Sequence, residues 1–238
     1  PCDYNTECEH YNCHHFVEPE HVLYAIDNFS ELTSGPVRQY DDEPRFKDMK
    51  LFRPVFEEDG YLSVVPLIKR PLTFEDLLKT IYRRMWKLIL EGSSSDHPVD
   101  YDQYYHPPVE DRFDEKLDDF CELMERIGSL GNKGLEMETE IKRIAGASVR
   151  DEDELRFYST VLTLLDGSLL QYEWNYEETR PVTHSVRLIM NNLESDTPEA
   201  IFAITERIYQ TICDGSRILI EQLNEFKKFW ALKPAGTA

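Results

Sequence analysis

"SRILIEQLNEFKKFW", residues Ser216 to Trp230, is the stretch on which the fold turns. Leu219, Leu223, Phe226 and Trp230 fall four, three and four residues apart. That spacing makes one stripe on a helix. A helix ending in Phe229-Trp230 has large rings to shelter from water. They line either a closed core or the wall of an open groove.

Working outward, "TPEAIFAITERIYQTICDG" (197–215) reads as the preceding helix, with Thr197 as N-cap, Pro198 at the first helical position and Gly215 past its end. "RPVTHSVRLIMNNLES" lies before it. "DEDELRFYSTVLTLLDGSLLQYEW" is long and apolar, and it predicts a central helix that runs through Gly167. "GNKGLEMETEIKRIAGASVRDED" is polar, with a short helix over 136–144. Residues 108–130 predict a helix with Phe113, Leu117, Phe120, Cys121, Met124 and Ile127 on its apolar side. "PLTFEDLLKTIYRRMWKLILEG" is a helix capped by Thr73, with Glu75 and Asp76 in its first turn and Gly92 at its stop. "SSSDHPVDYDQYYHPPVED" reads as a loop. Residues 33–71 hold prolines and no clean period, and "YLSVVPLIKRP" within them reads as extended. Residues 20–32 put Val22, Ala25, Ile26 and Phe29 on one face of a short helix. No repeat of fixed period is present. The expectation is one all-α domain over 1–238, with a long irregular insertion at 33–71 after the second helix.

Composition narrows the function. The 238 residues are 41% hydrophobic, enough for one sizeable core. Forty-six acidic and 26 basic residues give a net charge of −20. A nucleic-acid partner calls for a basic footprint, and an anionic membrane repels such a chain, so neither is expected. No apolar run reaches the ~20 residues a bilayer span needs, and no signal-peptide pattern is visible. Five cysteines are an odd number, and Cys121 and Cys213 sit inside helical patterns as free thiols. A reduced, cytoplasmic setting is expected.

Motifs for chemistry are sparse. There is no Gly-rich phosphate loop, GxSxG, HExxH or paired CxxC. The carboxylates follow the solvent faces of helices, so no acid/base dyad is expected and the chain is not read as an enzyme. Cys2, Cys8, His10, Cys13, His14 and His15 are zinc-ligand types in the Cys/His-rich lead (1–19), but their spacing matches no standard finger. No metal and no cofactor are expected.

Six pieces, taken in order, resemble the 14-3-3 proteins. "THSVRL" (Thr183 to Leu188) is similar to their T-H-P-I-R-L. "SRILIEQLNEFKKFW" resembles their last helix, S-T-L-I-M-Q-L-L-R-D-N-L-T-L-W, at equal length. "TPEAIFAITERIYQTI" resembles the S-P-E-K-A helix between them. "DGSLLQY" falls on K-G-D-Y-Y-R-Y, "KLDDFCELME" on E-L-R-D-I-C-N-D-V-L, and "DLLKTIYRR" on N-L-L-S-V-A-Y-K-N. The likeness is best over 153–230. It implies an antiparallel bundle of about nine helices, usually a homodimer, whose protomers each hold a phosphoserine or phosphothreonine segment of a partner in a concave groove. A phosphate of nearly two negative charges suits guanidinium forks and a tyrosine hydroxyl. The resemblance then implies Leu223, Phe226 and Trp230 as the apolar wall and Arg83, Arg84 and Lys87 as the basic wall. Gln171 and Tyr172 take the place of an Arg-Tyr pair, and Asn191 and Asn192 lie beside the position of a ligand-holding asparagine.

The pocket departs from the family. Its arginine positions after Arg83 fall on Leu90 and Ser94, and the last helix's asparagine falls on Phe226. Two functions follow as expectations. One is a phosphopeptide-binding adaptor in signalling, with Arg83, Arg84, Lys87 and Tyr172 rebuilding the pocket. The other is an interaction module that no longer reads phosphate and binds unphosphorylated segments or its own insertion. An unrelated helical zinc protein or enzyme is the alternative of another class.

Overall fold

The computed structural model describes residues 19–35, 38–39, 52–56, 60, 62–91, 101–147, 151–191 and 197–231. The Cys/His-rich positions Cys2 to His15 lie outside them, as do Gly92, Ser94 and Asn192. The described residues are mostly helical, with short strands near the front. The chain divides into two compact units, Pro1–Leu72 with Pro98–Pro107, and Thr73–His97 with Pro108–Thr237.

The first unit holds α1 (Pro19–Asp27), α2 (Phe29–Ser34), β1 (Arg38–Gln39), β2 (Phe52–Phe56), β3 (Leu62–Pro66), β4 (Ile68–Pro71), a one-turn helix α4 (Tyr101–Tyr104) and β5 (Tyr105–His106). β2 and β3 form an antiparallel hairpin, and β1, β4 and β5 a small parallel sheet in the order β1-β4-β5. The stretch read as a loop therefore contributes a strand, with Tyr105 paired to Arg70. Its backbone is satisfied locally: the Leu72 amide donates to the His106 carbonyl at 3.1 Å. Leu67, Ile68, Leu72, Tyr101 and Tyr105 are buried. Arg53 ties the hairpin to α2 by donating to the Thr33 carbonyl at 2.5 Å.

The second unit holds α3 (Phe74–Glu91), α5 (Phe113–Ala145), α6 (Glu152–Asn175), a 3-10 turn (Glu177–Thr179), α7 (Arg180–Asn191) and α8 (Pro198–Ala231). Local signals set the helix starts. Thr73 Oγ1 accepts from the Asp76 amide at 3.2 Å and donates to Asp76 Oδ2 at 2.7 Å, as a capping residue does. Thr197 Oγ1 accepts from the Ala200 amide at 3.3 Å. Asp151 accepts from the Asp153 and Glu154 amides ahead of α6, which runs through Gly167 as expected.

Two expected breaks are absent. Residues 113–130 and 136–144 belong to one helix, α5, which starts at Phe113 and not at the expected 108. Residues 198–215 and 216–230 belong to another, α8, with Gly215 in its interior rather than past its end. These glycines are close-approach positions. A Cβ on Gly128 would stand 3.2 Å from Ser216 Cβ, one on Gly131 2.8 Å from Cys213 Sγ, and one on Gly134 2.3 Å from the Tyr209 ring. As the α5 positions rise the α8 positions fall, so the two helices run antiparallel with their backbones drawn together. Gly215 does the same for α3, where a Cβ would meet Met85 Sδ at 3.2 Å.

The core lies on both sides of that seam. Leu117, Phe120, Met124 and Ile127 of α5, Leu77, Ile81 and Met85 of α3, and Tyr209, Ile212, Leu219 and Leu223 of α8 are at most 2% exposed. Asp166 of α6 accepts from the Tyr209 hydroxyl at 2.8 Å, and Tyr82 of α3 donates to the Glu178 carbonyl at 2.5 Å. Burial pushes both phenols up from their ordinary pKa, with Asp166 adding to the shift at Tyr209 and Glu178 to that at Tyr82.

Glu138 is the awkward member of the seam. It is 2% exposed, and neither carboxylate oxygen makes a hydrogen bond, although Lys142 Nζ stands 3.3 Å from one. Burial raises its pKa above the ordinary carboxyl value. A raised folded-state pKa means that stability is whole below the unfolded value and falls as pH rises through the folded one. Glu138→Gln, which removes the buried charge, is therefore expected to stabilise the protein at pH 8, on the order of 1 kcal/mol, the equivalent of one pKa unit. Near pH 4 it should change little. Thermal melts of the two proteins at both pH values check this.

Candidate functional site

α3, α7 and α8 leave an open groove of about 950 Å³ on the second unit. Its α8 wall runs from Ala203 to Glu225, about 33 Å at 1.5 Å per residue. Apolar side chains from all three helices line it, among them Leu88, Ile89 and Leu90 of α3, Ile189 of α7, and Ile204 and Ile218 of α8. Leu90 is 68% exposed and Ile189 46%. A charged row edges this strip, with Arg84 on α3 and Arg207, Asp214, Arg217, Glu221 and Glu225 on α8. The α8 positions recur at steps of three, four and seven, so they share one side of the helix.

Cations and acids in this row answer each other. Arg217 pairs with Glu221 at 3.0 Å and with Asp214 at 3.5 Å, and Arg84 stands 3.9 Å from Glu225. Glu206, also on the lining, pairs with Lys142 at 2.7 Å. Gln222 lies among the lining residues at 6% exposure, and its Nε2 makes no hydrogen bond. The described lining carries no histidine, cysteine or serine.

The residues singled out from the sequence are scattered over the second unit. Arg84 joins the groove. Arg83 and Lys87 are half-buried on α3 and are not among its described lining residues. Gln171 is exposed on α6, and Tyr172 stacks on Tyr176 with ring centroids 5.9 Å apart. Asn191 is the last residue of α7. Leu223 and Phe226 correct the expectation of an apolar wall: they are 0% and 3% exposed, and Phe226 packs 6.1 Å from the Phe113 ring. The side of the helix expected to face a groove faces α5 instead, because α5 supplies the rings that cover it. Trp230 is half-buried against Phe226 and Phe229.

The T-H-x-x-R-L piece has a structural reason. His184 and Arg187, three residues apart on α7, both reach Glu173 of α6, which is 4% exposed. Arg187 grips it through two nitrogens at 2.7 and 2.9 Å, and His184 Nδ1 lies 2.8 Å from Oε1. Hydrogen bonding from Arg187 holds the Glu173 carboxyl below its usual range, helped by His184. The cluster ties two helices together and does not open onto the groove.

Other chemistry is limited. Cys121 and Cys213 are free, and burial raises both thiols above their ordinary pKa, which makes them poor nucleophiles at neutral pH. No metal-ligating cluster occurs among the described residues. None of their helices is long and apolar enough to cross a membrane. The sequence reading missed Arg207, Asp214, Arg217, Glu221 and Glu225. Their only signal is a row of charges on what otherwise reads as a solvated face. Set against protein-family models, curated proteins and solved structures, the chain matches none.

Proposed function

We propose that the chain is a polypeptide-binding module, akin to the 14-3-3 proteins, whose groove between α3, α7 and α8 holds an unphosphorylated segment of another protein. The observation that carries this reading is a long groove lined by apolar side chains, Leu90 and Ile189 exposed among them, and edged by charges that already answer one another. Its apolar floor takes flanking side chains and its polar rim orients a main chain, the usual division of labour in a binding site.

A phosphate is a poor occupant of such a strip. It would have to draw Arg217 from Glu221 and Asp214, and Arg84 from Glu225, while standing beside those carboxylates. Each of the solvent-exposed pairs of Arg217 costs only about 0.2–1 kcal/mol to give up, but the carboxylates left beside the phosphate repel it. Three guanidiniums along one groove, those of Arg84, Arg207 and Arg217, are the observation that favours the second reading, a phosphoserine or phosphothreonine adaptor.

A peptide library in matched phosphorylated and plain forms, titrated by fluorescence anisotropy, separates the two. The expected hits bind at least as well without phosphate. Leu90→Asp, at an exposed lining position, should weaken them about 10-fold or more, since burying a leucine contributes about 1.5–3 kcal/mol. Hits that need phosphate would establish the second reading. Hits indifferent to Leu90→Asp, or an absence of hits, would remove the groove as a binding site.

A further inference from the structure

In the hairpin of the first unit, Phe52 pairs with Pro66, Pro54 with Val64, and Phe56 with Leu62. Residues two apart on a strand share a face, and directly paired residues share it too. One face of this hairpin is therefore wholly apolar: Phe52, Pro54, Phe56, Leu62 and Val64, all exposed, with Pro66 buried at its end. Four of these are exposed large side chains: Phe52 39%, Phe56 78%, Leu62 56% and Val64 55%. Arg53, Val55 and Val65 of the opposite face are half-buried. The outer face is the greasier and the wetter of the two, the reverse of what water selects. A two-stranded hairpin is at best marginally stable alone and needs a covering layer on an apolar face.

We infer that the Phe52–Phe56 and Leu62–Pro66 hairpin is a self-association surface, covered by the same face of a second copy of this chain about a two-fold axis. The face carries no ionisable side chain with which to select a charged partner. The guanidinium that approaches it, that of Arg70, lies over the Phe52 ring at 5.9 Å. What fits a flat uncharged apolar face is another of its kind, and a two-fold contact brings one patch against itself. Two hairpins stacked at about 10 Å would form a small four-stranded sandwich with the five exposed side chains of each copy inside.

Area and charge set the strength. Side chains of this size at these exposures offer on the order of 500 Å² per copy and ~1,000 Å² in total, at the lower limit for a specific contact. Each copy also carries a net charge of −20, which opposes association outside the contact. The dimer should be weak, with a micromolar dissociation constant, and it should tighten as salt screens the repulsion.

Sedimentation equilibrium of the full chain up to about 100 µM, at low and high salt, tests this. The wild type should associate reversibly to a dimer, several-fold more tightly at high salt. The double variant Phe56→Glu, Val64→Glu should be monomeric under both conditions with an unchanged far-UV circular dichroism spectrum. Should that variant lose its fold, hydrogen exchange on the wild type decides: amides of 52–56 and 62–66 should exchange more slowly as concentration rises. A wild type monomeric throughout, a dimer that survives the double variant, or exchange independent of concentration each overturns the inference.

Discussion

Replacing Phe226 with alanine should lower the folding free energy by about 3–5 kcal/mol, the cost of deleting a buried ring and leaving a cavity. The ring is 3% exposed and lies 6.1 Å from Phe113 and 5.8 Å from Trp230, so nothing nearby is free to fill the space. Leu223→Ala, at 0% exposure, should cost about 2–5 kcal/mol for the same reason. Urea denaturation reads both as a fall in midpoint at constant slope. A groove wall would behave in the opposite way, with peptide affinity lost and stability kept. Leu90→Asp should show that second pattern, and the two variants together separate core from binding surface. A change below about 1 kcal/mol for Phe226→Ala would mean that the ring is not packed as described.

Gly134→Ala carries the second large effect, and its sign is unusual for a helix interior. In a solvated helix this exchange stabilises by about 1 kcal/mol. Here the new Cβ would stand 2.3 Å from Cδ1 and Cε1 of Tyr209. Tyr209 is 0% exposed and its hydroxyl is held by Asp166 at 2.8 Å, so the ring has no room to swing aside. The helices must separate. Overpacking costs about 1–3 kcal/mol and occasionally more, enough to outweigh the gain in helix propensity. The expected net loss is about 2 kcal/mol. Gly167→Ala is the control, because a Cβ there meets nothing within 4 Å. It should stabilise by about 0.5–1 kcal/mol. Tyr209→Leu in the Gly134→Ala background should recover part of the loss, a coupling that a double-mutant cycle measures.

The same two sites show what the sequence made legible. Caps and apolar stripes are local, and Thr73, Thr197, the helix over 74–91 and the run through Gly167 were read from neighbouring residues alone. The Leu219, Leu223 and Phe226 stripe was read correctly as a stripe. What covers it was not, because the covering rings belong to α5, about a hundred positions away, and a period carries no information about the partner. Gly215 reads as a helix end, and the polar stretch holding Gly131 and Gly134 as a gap between helices, for a related reason. A glycine that ends a helix and one that admits a neighbouring helix look alike until the neighbour is in place. The binding strip was hidden by its own chemistry. Arg207, Asp214, Arg217, Glu221 and Glu225 lie on the outer side of α8, where charge is the default and so draws no notice. Of the site residues expected from the sequence, Arg84 alone lies on the described lining.

The antiparallel seam of α5 and α8 has a consequence for how this protein is made. During synthesis at about 5–20 residues per second, α5 leaves the ribosome before α6, α7 and α8 exist. Phe120 can already pack on Phe74 and Tyr82 of α3, but the side carrying Gly128, Gly131 and Gly134 has no native cover until the later helix emerges. The nascent chain is thus obliged to hold a greasy, glycine-notched rod in water for several seconds. Its maturation is a late zippering between distant parts of the polypeptide, slow by the standard of helical proteins whose contacts are local.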